Sequence, residues 1–316
     1  MYVKKLKELL QEISGVYLTL LKVMVPAIII VKMLDMLGGT QWLAGMLAPF
    51  MQFVGLPEQL GLVWATAILT NIFTAMVVFV DVTTALELSV AQVSVIGILM
   101  LLSHSVPIEG AVAKMVGVSW RLTISLKLGG GLLLAALVNW FYTTLDYQQQ
   151  TAVLVWQGER QEQSMMQWGS DQLQLLLSIF FIISALIILL RILKKIGVES
   201  LLQKLLSPVF KLLNITKGAS NITITGLTLG LSYGAGLLIS EVKNGNISKK
   251  DILLSISFLS LAHSLIEDTL LILLLGADVL AILWMRIVFA VIIIALLSKY
   301  ISIRQSTNLK YLAESK

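Results

Sequence analysis

The sequence predicts an all-α integral membrane protein made of two similar halves, and three observations support this fold class. Of the 316 residues, 57% are hydrophobic and 13% are charged, about half the charged share of a soluble domain. The mean hydropathy is +0.90, and several apolar runs reach the roughly 20 residues that a spanning helix needs. The sequence also matches itself after a shift of 159 residues. An ordinary cytosolic enzyme is excluded.

Eight apolar runs and one polar segment organise the chain. The runs lie at 17–37, 60–80, 88–106, 122–143, 173–193, 222–240, 252–275 and 279–298. Two shorter apolar stretches, 42–55 and 199–214, indicate interfacial helices or helix–turn connections. Because residues 144–171 are polar and rich in Gln, we interpret 1–143 and 172–316 as membrane repeats joined by an extracytoplasmic linker.

The tandem duplication is supported by polar residues, glycines and prolines, since apolar matches are common between any two membrane segments. The chain contains only two histidines, and they occupy equivalent positions. Equivalent pairs include Gly38 and Gly197, Pro49 and Pro208, His104 and His263, Glu109 and Asp268, and Lys127 and Arg286. Duplicated membrane halves are typical of secondary transporters, whose sites lie at the repeat interface.

The distribution of Lys and Arg predicts how the halves are oriented. Basic residues cluster near the N-terminus, after the fifth apolar run and in the C-terminal tail, so these segments are expected in the cytoplasm. The acidic linker is expected outside, although Lys243, Lys249 and Lys250 would then lie outside as well. Each half therefore crosses an odd number of times, which predicts inverted repeats. One run per half must be re-entrant or broken, and the histidine-containing run is the candidate.

The strongest candidate site is repeated in LLSHSVPIEGAVAKMVG (101–117) and SLAHSLIEDTLLILLLG (260–276). Each copy has a His, an adjacent Ser and a carboxylate five residues after the His. The candidate substrate or coupling-ion residues are His104, Ser105, Glu109, His263, Ser264, Glu267 and Asp268. Ionisable groups at membrane depth cost several kcal/mol unless they are paired or hydrated, which favours function. Alternatively, they pair with one another and hold the halves together.

A second set of polar residues precedes each histidine run. Thr70 and Asn71 interrupt an apolar run in the first half, and Ser232, Tyr233 and Gly234 lie in the corresponding stretch of the second. Tyr233 or Asn71 could hydrogen-bond a planar polar ligand, or the small residues could serve helix packing. Two carboxylates end these runs and are candidate gating or interfacial groups: Asp81 and Glu241.

The sequence predicts neither an enzyme nor a nucleic-acid-binding protein. It contains no nucleophile-elbow, zinc-protease, P-loop or dinucleotide-binding motif, so no catalytic residue is assigned. It has no Cys, which excludes thiolate metal sites and disulfides. The net charge of +5 comes from basic segments between apolar runs and does not indicate nucleic acid. We expect no cofactor, apart from H⁺ or Na⁺ as a coupling ion.

With its duplicated HSVPIE and HSLIED segments and the polar runs before them, the sequence resembles the nucleoside-recognition (Gate-domain) membrane protein family. It is more distantly similar to concentrative nucleoside transporters and to the membrane part of ferrous-iron transporters. The resemblance covers 15–143 and 172–300, one Gate-like unit each. It implies a multi-pass protein of the bacterial inner membrane, and with the charge pattern both termini are expected in the cytoplasm.

The leading hypothesis is a secondary transporter of a small polar solute, nucleoside-like or otherwise, coupled to H⁺ or Na⁺. An alternative is a divalent metal ion transporter, with His104, Glu109, His263 and Asp268 as ligands. Metal transport predicts that both histidines lie within bonding reach of one ion, whereas an organic solute needs a larger pocket lined by Tyr233 or Asn71. A membrane scaffold or accessory subunit is a third hypothesis, and an enzyme acting on lipid intermediates is a fourth. The expected partners are the bilayer and the solute, with a homo-oligomer possible.

Overall fold

Helices account for almost all of the structure, a computed structural model that describes residues 2–84, 86–153, 164–229 and 247–314. In the first half, the helices are α1 (Tyr2–Met36), α2 (Gly39–Phe53), α3 (Leu60–Leu69), α4 (Ile72–Thr83), α5 (Val90–Ser103), α6 (Val106–Met115), α7 (Trp120–Ile124) and α8 (Gly130–Thr144). In the second half, they are α9 (Met165–Lys195), α10 (Val198–Leu212), α11 (Lys217–Leu229), α12 (Lys249–Ala262), α13 (Glu267–Leu273) and α14 (Arg286–Glu314). The all-α prediction is confirmed.

Six helical stretches in the described part of the chain are long and apolar enough to cross a membrane. They are Lys7–Met36, Val90–Met115, Trp120–Thr144, Met165–Lys195, Lys249–Leu273 and Leu280–Ile303. Three lie in each half, and one of the three in each half contains the histidine, so the topology itself stays a prediction. The short apolar stretches of the sequence form α2 and α10, which are amphipathic helices of 15 residues each.

Both histidine-containing stretches are broken helices, as expected. Helix α5 ends before His104 and α6 begins two residues later, while α12 ends before His263 and α13 begins at Glu267. Ser105 and Ser264 turn the backbone at these breaks, with φ of 54° and 47°. Pro107 lies in the first turn of α6, but the second break forms without a proline. Tertiary contacts therefore set the break, because its freed amides bond to other helices.

Those contacts join each break to an earlier helix of its own half, α3 in the first and α11 in the second. The Ser105 amide donates to the Ala67 carbonyl oxygen at 3.0 Å, and the Leu265 amide donates to the Leu227 carbonyl oxygen at 2.9 Å. Such bonds satisfy backbone groups that have no water partner inside a membrane. The two breaks are thus held in matching ways, which agrees with a duplicated architecture.

A second break divides the 60–80 run and was not expected from its apolar composition. Helix α3 ends at Leu69 and α4 begins at Ile72, with Asn71 as the N-cap of α4. The Asn71 side chain accepts hydrogen bonds from the Thr74 amide at 2.9 Å and the Thr74 hydroxyl at 3.2 Å. A short polar side chain that satisfies free amides favours a helix start over helix continuation. The first half therefore contains two broken runs.

The long helices α1 and α9, which are equivalent in the two halves, run antiparallel where they meet. Their contacting residues are Glu12 with Arg191, Tyr17 with Leu176, and Lys32 with Trp168. The residue numbers increase along α1 while the numbers of their partners in α9 decrease, so the two helices run antiparallel. This is the relation expected of inverted halves, although the inversion of the complete halves stays a prediction.

Glycines allow the histidine-bearing helices to pack closely in the centre. A Cβ added at Gly97 of α5 would lie 2.5 Å from Ile272 Cγ2 of α13, and one at Gly131 of α8 would lie 3.0 Å from the Ser103 hydroxyl. The first distance is shorter than any normal carbon–carbon contact, so α5 can approach α13 only with glycine at that position. A Cβ at Gly130 of α8 would lie 3.2 Å from Leu261 Cδ2, so Gly130 also serves close packing.

Candidate functional site

The breaks in the two central helices bring the two histidines of the chain into contact. His104 and His263 each cap the C-terminus of their helix, and their Nε2 atoms lie 3.0 Å apart. Both side chains are buried, with exposed fractions of 6% and 3% for the residues. Residues 159 apart in sequence therefore meet directly at the contact between the halves.

Backbone carbonyls fix the tautomer of both imidazoles. His104 Nδ1 lies 2.9 Å from the Met100 oxygen, and His263 Nδ1 lies 2.8 Å from the Leu259 oxygen. A carbonyl oxygen can only accept, so each Nδ1 carries the hydrogen, and each Nε2 of a neutral ring presents a lone pair. Two lone pairs 3.0 Å apart repel each other unless a proton or another cation lies between them.

Two carboxylates add further acceptor atoms to the same place. Glu109 Oε1 lies 3.2 Å from His263 Nε2 and 3.6 Å from His104 Nε2. Asp268 Oδ2 lies 3.7 Å from His104 Nε2 and 3.9 Å from His263 Nε2. Among the described residues, Asp268 Oδ2 has no hydrogen-bond partner. Four acceptor atoms thus converge, which the spacing of His and carboxylate in each half predicted.

Two buried basic residues complete the cluster and were not among the predicted site residues. Lys127 and Arg286 are both completely buried. Lys127 Nζ lies 2.6 Å from Glu109 Oε2. Arg286 instead donates to backbone oxygens at the end of α12, from Nε to Leu261 at 2.9 Å and from Nη2 to His263 at 2.8 Å. A signal for them existed, since these two basic residues match across the repeat inside apolar runs.

Short π-helical segments accompany both basic residues. Lys127 lies within the segment Ser125–Gly129, and Arg286 directly follows the segment Leu280–Met285. A π-helical turn shifts the helix face by a fraction of a turn, and such turns occur often at functional sites. Here the local geometry places one cation of each half against the histidine cluster.

The spacing of the acceptor atoms suits a single divalent cation. One ligand atom each from His104, His263 and Asp268 lies within 4.8 Å of the others. A tetrahedral Zn²⁺ with Zn–N bonds of about 2.05 Å separates two nitrogens by about 3.3 Å. The observed 3.0 Å between the Nε2 atoms needs only a small expansion to reach this distance. Glu109 Oε1 could supply a fourth ligand.

The other residues predicted for the histidine segments have structural contacts or lie outside the cluster. The Ser105 hydroxyl donates to the Thr70 carbonyl at 2.8 Å, which ties the helix break to the end of α3. Ser264 is buried and provides the second turn. Glu267 is half-buried in the first turn of α13, where a carboxylate favourably meets the helix dipole.

The second predicted set is only partly within the described structure. The Thr70 hydroxyl donates to the Thr66 carbonyl at 2.6 Å, and Asn71 caps α4, so both make local backbone contacts. Asp81 is exposed at the C-terminal end of α4, away from the histidines. The remaining predicted positions, Ser232, Tyr233, Gly234 and Glu241, lie outside the described residues.

Comparison with known proteins supports the membrane assignment without indicating a substrate. The chain is similar to the "Uncharacterized membrane protein YvoD" of Bacillus subtilis (strain 168), with 29% identity over 283 residues. The match covers 87% of this chain and 88% of the relative. The chain is an integral membrane protein. No family model matches it, and no solved structure matches it. The resemblance to the nucleoside-recognition family stays a prediction.

Proposed function

We propose that this membrane protein is a transporter of a divalent transition metal ion such as Zn²⁺, Mn²⁺ or Fe²⁺. The observation that carries the proposal is the convergence of four buried acceptor atoms, with the two imidazole Nε2 atoms 3.0 Å apart. Both rings are held with a lone pair toward the centre, and His and carboxylate together are common ligands of these ions. A bound cation would remove the repulsion between these atoms.

The proposal favours an inorganic ion over a nucleoside-like solute. The two Nε2 atoms lie 3.0 Å apart and each carboxylate oxygen lies 3.2–3.9 Å from them, which suits one ion at their centre. Asn71, which an organic solute was expected to contact, is already engaged as the cap of α4. Tyr233, the other expected contact, lies outside the described residues, so among the described residues no contact supports the nucleoside hypothesis.

The position of the site within the fold supports transport rather than static metal storage. The ligands come from two broken helices of equivalent halves, and broken helices with repeat symmetry are characteristic of alternating-access transporters. A rocking motion of one half against the other would change which side of the membrane reaches the histidines. The ion would then be released because the ligands from the two halves separate.

A second candidate is transport of an organic solute coupled to a proton, and the same histidine pair favours it. One added proton would let one imidazolium donate from Nε2 to the other ring while both Nδ1–H bonds are kept. The pair would then serve as a proton site, and the solute would bind elsewhere. Metal binding by the purified protein separates the two candidates.

The test is thermal unfolding of chelator-treated, purified protein with Zn²⁺, Mn²⁺ or Fe²⁺, followed by uptake of the same ions into proteoliposomes. A ligand at 100 times its Kd stabilises the native state by about 2.7 kcal/mol. We expect saturable stabilisation and uptake, both lost in the His104→Gln/His263→Gln variant. Mg²⁺ is the control ion, since it prefers oxygen ligands. Stabilisation by nucleosides but by none of these metals would overturn the proposal.

A further inference from the structure

We propose that Lys127 sets the affinity of the ion site, as a tethered cation that competes with the transported ion for Glu109. This inference rests on the metal transport proposed above. The Glu109 carboxylate has a different neighbour at each of its two oxygens. Glu109 Oε2 lies 2.6 Å from Lys127 Nζ, while Oε1 lies 3.2 Å from His263 Nε2. The same group thus faces the ammonium on one side and the ion site on the other.

The second half lacks this competition, although its residues are equivalent. Arg286 bonds the carbonyl oxygens of Leu261 and His263 and therefore holds the end of α12. Within the described structure, Arg286 Nη1 and Asp268 Oδ2 have no hydrogen-bond partner. The planar guanidinium can serve two carbonyls at once, whereas the compact ammonium of Lys127 approaches a single carboxylate. One carboxylate is therefore held by its basic residue, and the other is left for an ion.

The charges of the cluster explain why the competition matters. Two carboxylates, one ammonium and one guanidinium sum to zero when both imidazoles are neutral. A divalent ion adds two positive charges to a buried site, where water and salt screen charges weakly. The nearby ammonium repels the ion and keeps part of the Glu109 charge for itself. Lys127 therefore lowers the affinity for the ion.

A lowered affinity has a direct use in transport. A transporter must bind its ion firmly enough to select it and weakly enough to release it. When the ion leaves, the ammonium can return to Glu109 without any other cation entering the site. Lys127 thus keeps the affinity moderate and promotes release of the ion.

The experiment measures the Kd for Zn²⁺ by calorimetry on the full-length protein in detergent. Lys127→Leu removes the charge without adding a donor atom, and we expect binding at least tenfold tighter than in the wild type. Zn²⁺ uptake into proteoliposomes should fall, because release is slowed. Lys127→Arg should retain a Kd close to that of the wild type. The matched control is Lys114→Leu, which removes an exposed lysine at the end of α6.

Two further variants keep the test decisive. Lys127→Gln removes the charge but keeps a hydrogen-bond donor for Glu109, so it replaces Lys127→Leu if that variant does not fold. In a Glu109→Gln background the gain from Lys127→Leu should be much smaller, because the contested carboxylate is absent and only the repulsion between ammonium and ion is removed. An undiminished gain there would show that Lys127 acts without Glu109 and would overturn the inference.

The outcomes also separate this inference from the proposed function. If the wild type binds Zn²⁺ and the neutral variants bind it no more tightly, the competition is refuted while metal transport stands. If neither the wild type nor any neutral variant binds Zn²⁺, Mn²⁺ or Fe²⁺, both proposals fail. Binding seen only after Lys127 is neutralised would support the competition directly.

Discussion

Replacing Asp268 by Asn should stabilise the metal-free protein and weaken metal binding at the same time. Asp268 is 5% exposed, and its Oδ2 atom has no hydrogen-bond partner in the described structure. The two imidazole Nε2 atoms, each with a lone pair, lie 3.7 and 3.9 Å from this oxygen. A buried unsatisfied polar group costs about 1–3 kcal/mol, and more when it is charged. The amide removes the charge and can donate to either nitrogen.

The same change should reduce metal affinity, because an amide oxygen is a weaker ligand than a carboxylate for these ions. Loss of one charged ligand should raise the Kd for Zn²⁺ by at least tenfold, or about 1.4 kcal/mol. The gain in metal-free stability and the loss of Zn²⁺ affinity have one cause, because the acceptors that repel each other in the empty cluster are those that bind the ion. Stability and affinity therefore change in opposite directions.

The assay is thermal unfolding of chelator-treated protein with and without Zn²⁺, with Glu267→Gln as the matched control. Glu267 is the adjacent carboxylate, is only half-buried and starts α13, so its neutralisation should leave Zn²⁺ binding unchanged. For Asp268→Asn we expect an unfolding temperature a few degrees higher without metal and a smaller increase on adding Zn²⁺. A lower unfolding temperature together with an unchanged Zn²⁺ response would refute the reasoning.

Three other substitutions test the packing and the positioning of the site. Gly97→Ala should destabilise by about 1–3 kcal/mol, since its Cβ would lie 2.5 Å from Ile272 Cγ2, and Gly45→Ala, with open space around it, should not; equal unfolding temperatures would contradict the packing. Asn71→Ala should cost about 1 kcal/mol in unfolding free energy through the lost cap and leave the Kd for Zn²⁺ unchanged. Arg286→Met should lower stability, because two carbonyls that orient the end of α12 lose their donor; an unchanged unfolding temperature would argue against this role.

Composition and repeat matching were sufficient to predict the fold class and the meeting of the histidines. The apolar runs gave the spanning helices, and equivalence across the repeat indicated that His104 and His263 belong to one site. The break at Asn71 was not predicted, because a single cap in an apolar run is a weak local signal whose effect depends on packing. The tautomers of the two histidines could not be predicted from the sequence either, because they depend on contacts with carbonyl oxygens that form only in the folded helix ends.

The two buried basic residues were missed for a different reason. Lys127 and Arg286 matched across the repeat, yet basic residues near membrane segments usually indicate topology rather than a site. Only the structure shows that they belong to the histidine cluster, because the π-helical segments place them against it. A basic residue that recurs at equivalent positions within apolar runs is therefore better interpreted as part of a buried charge cluster.

The balance of donors and acceptors distinguishes a functional cluster from one that only joins the two halves. Polar groups that serve helix association pair donors with acceptors, and a fully satisfied network stabilises. Here the histidine lone pairs and the Asp268 oxygen face one another, while Lys127 donates to Glu109, Arg286 donates to the backbone, and Arg286 Nη1 has no partner in the described structure. Acceptors that face one another without bonding a donor destabilise the empty protein, and binding a cation reverses this effect. That imbalance favours an ion-binding role over a scaffold role.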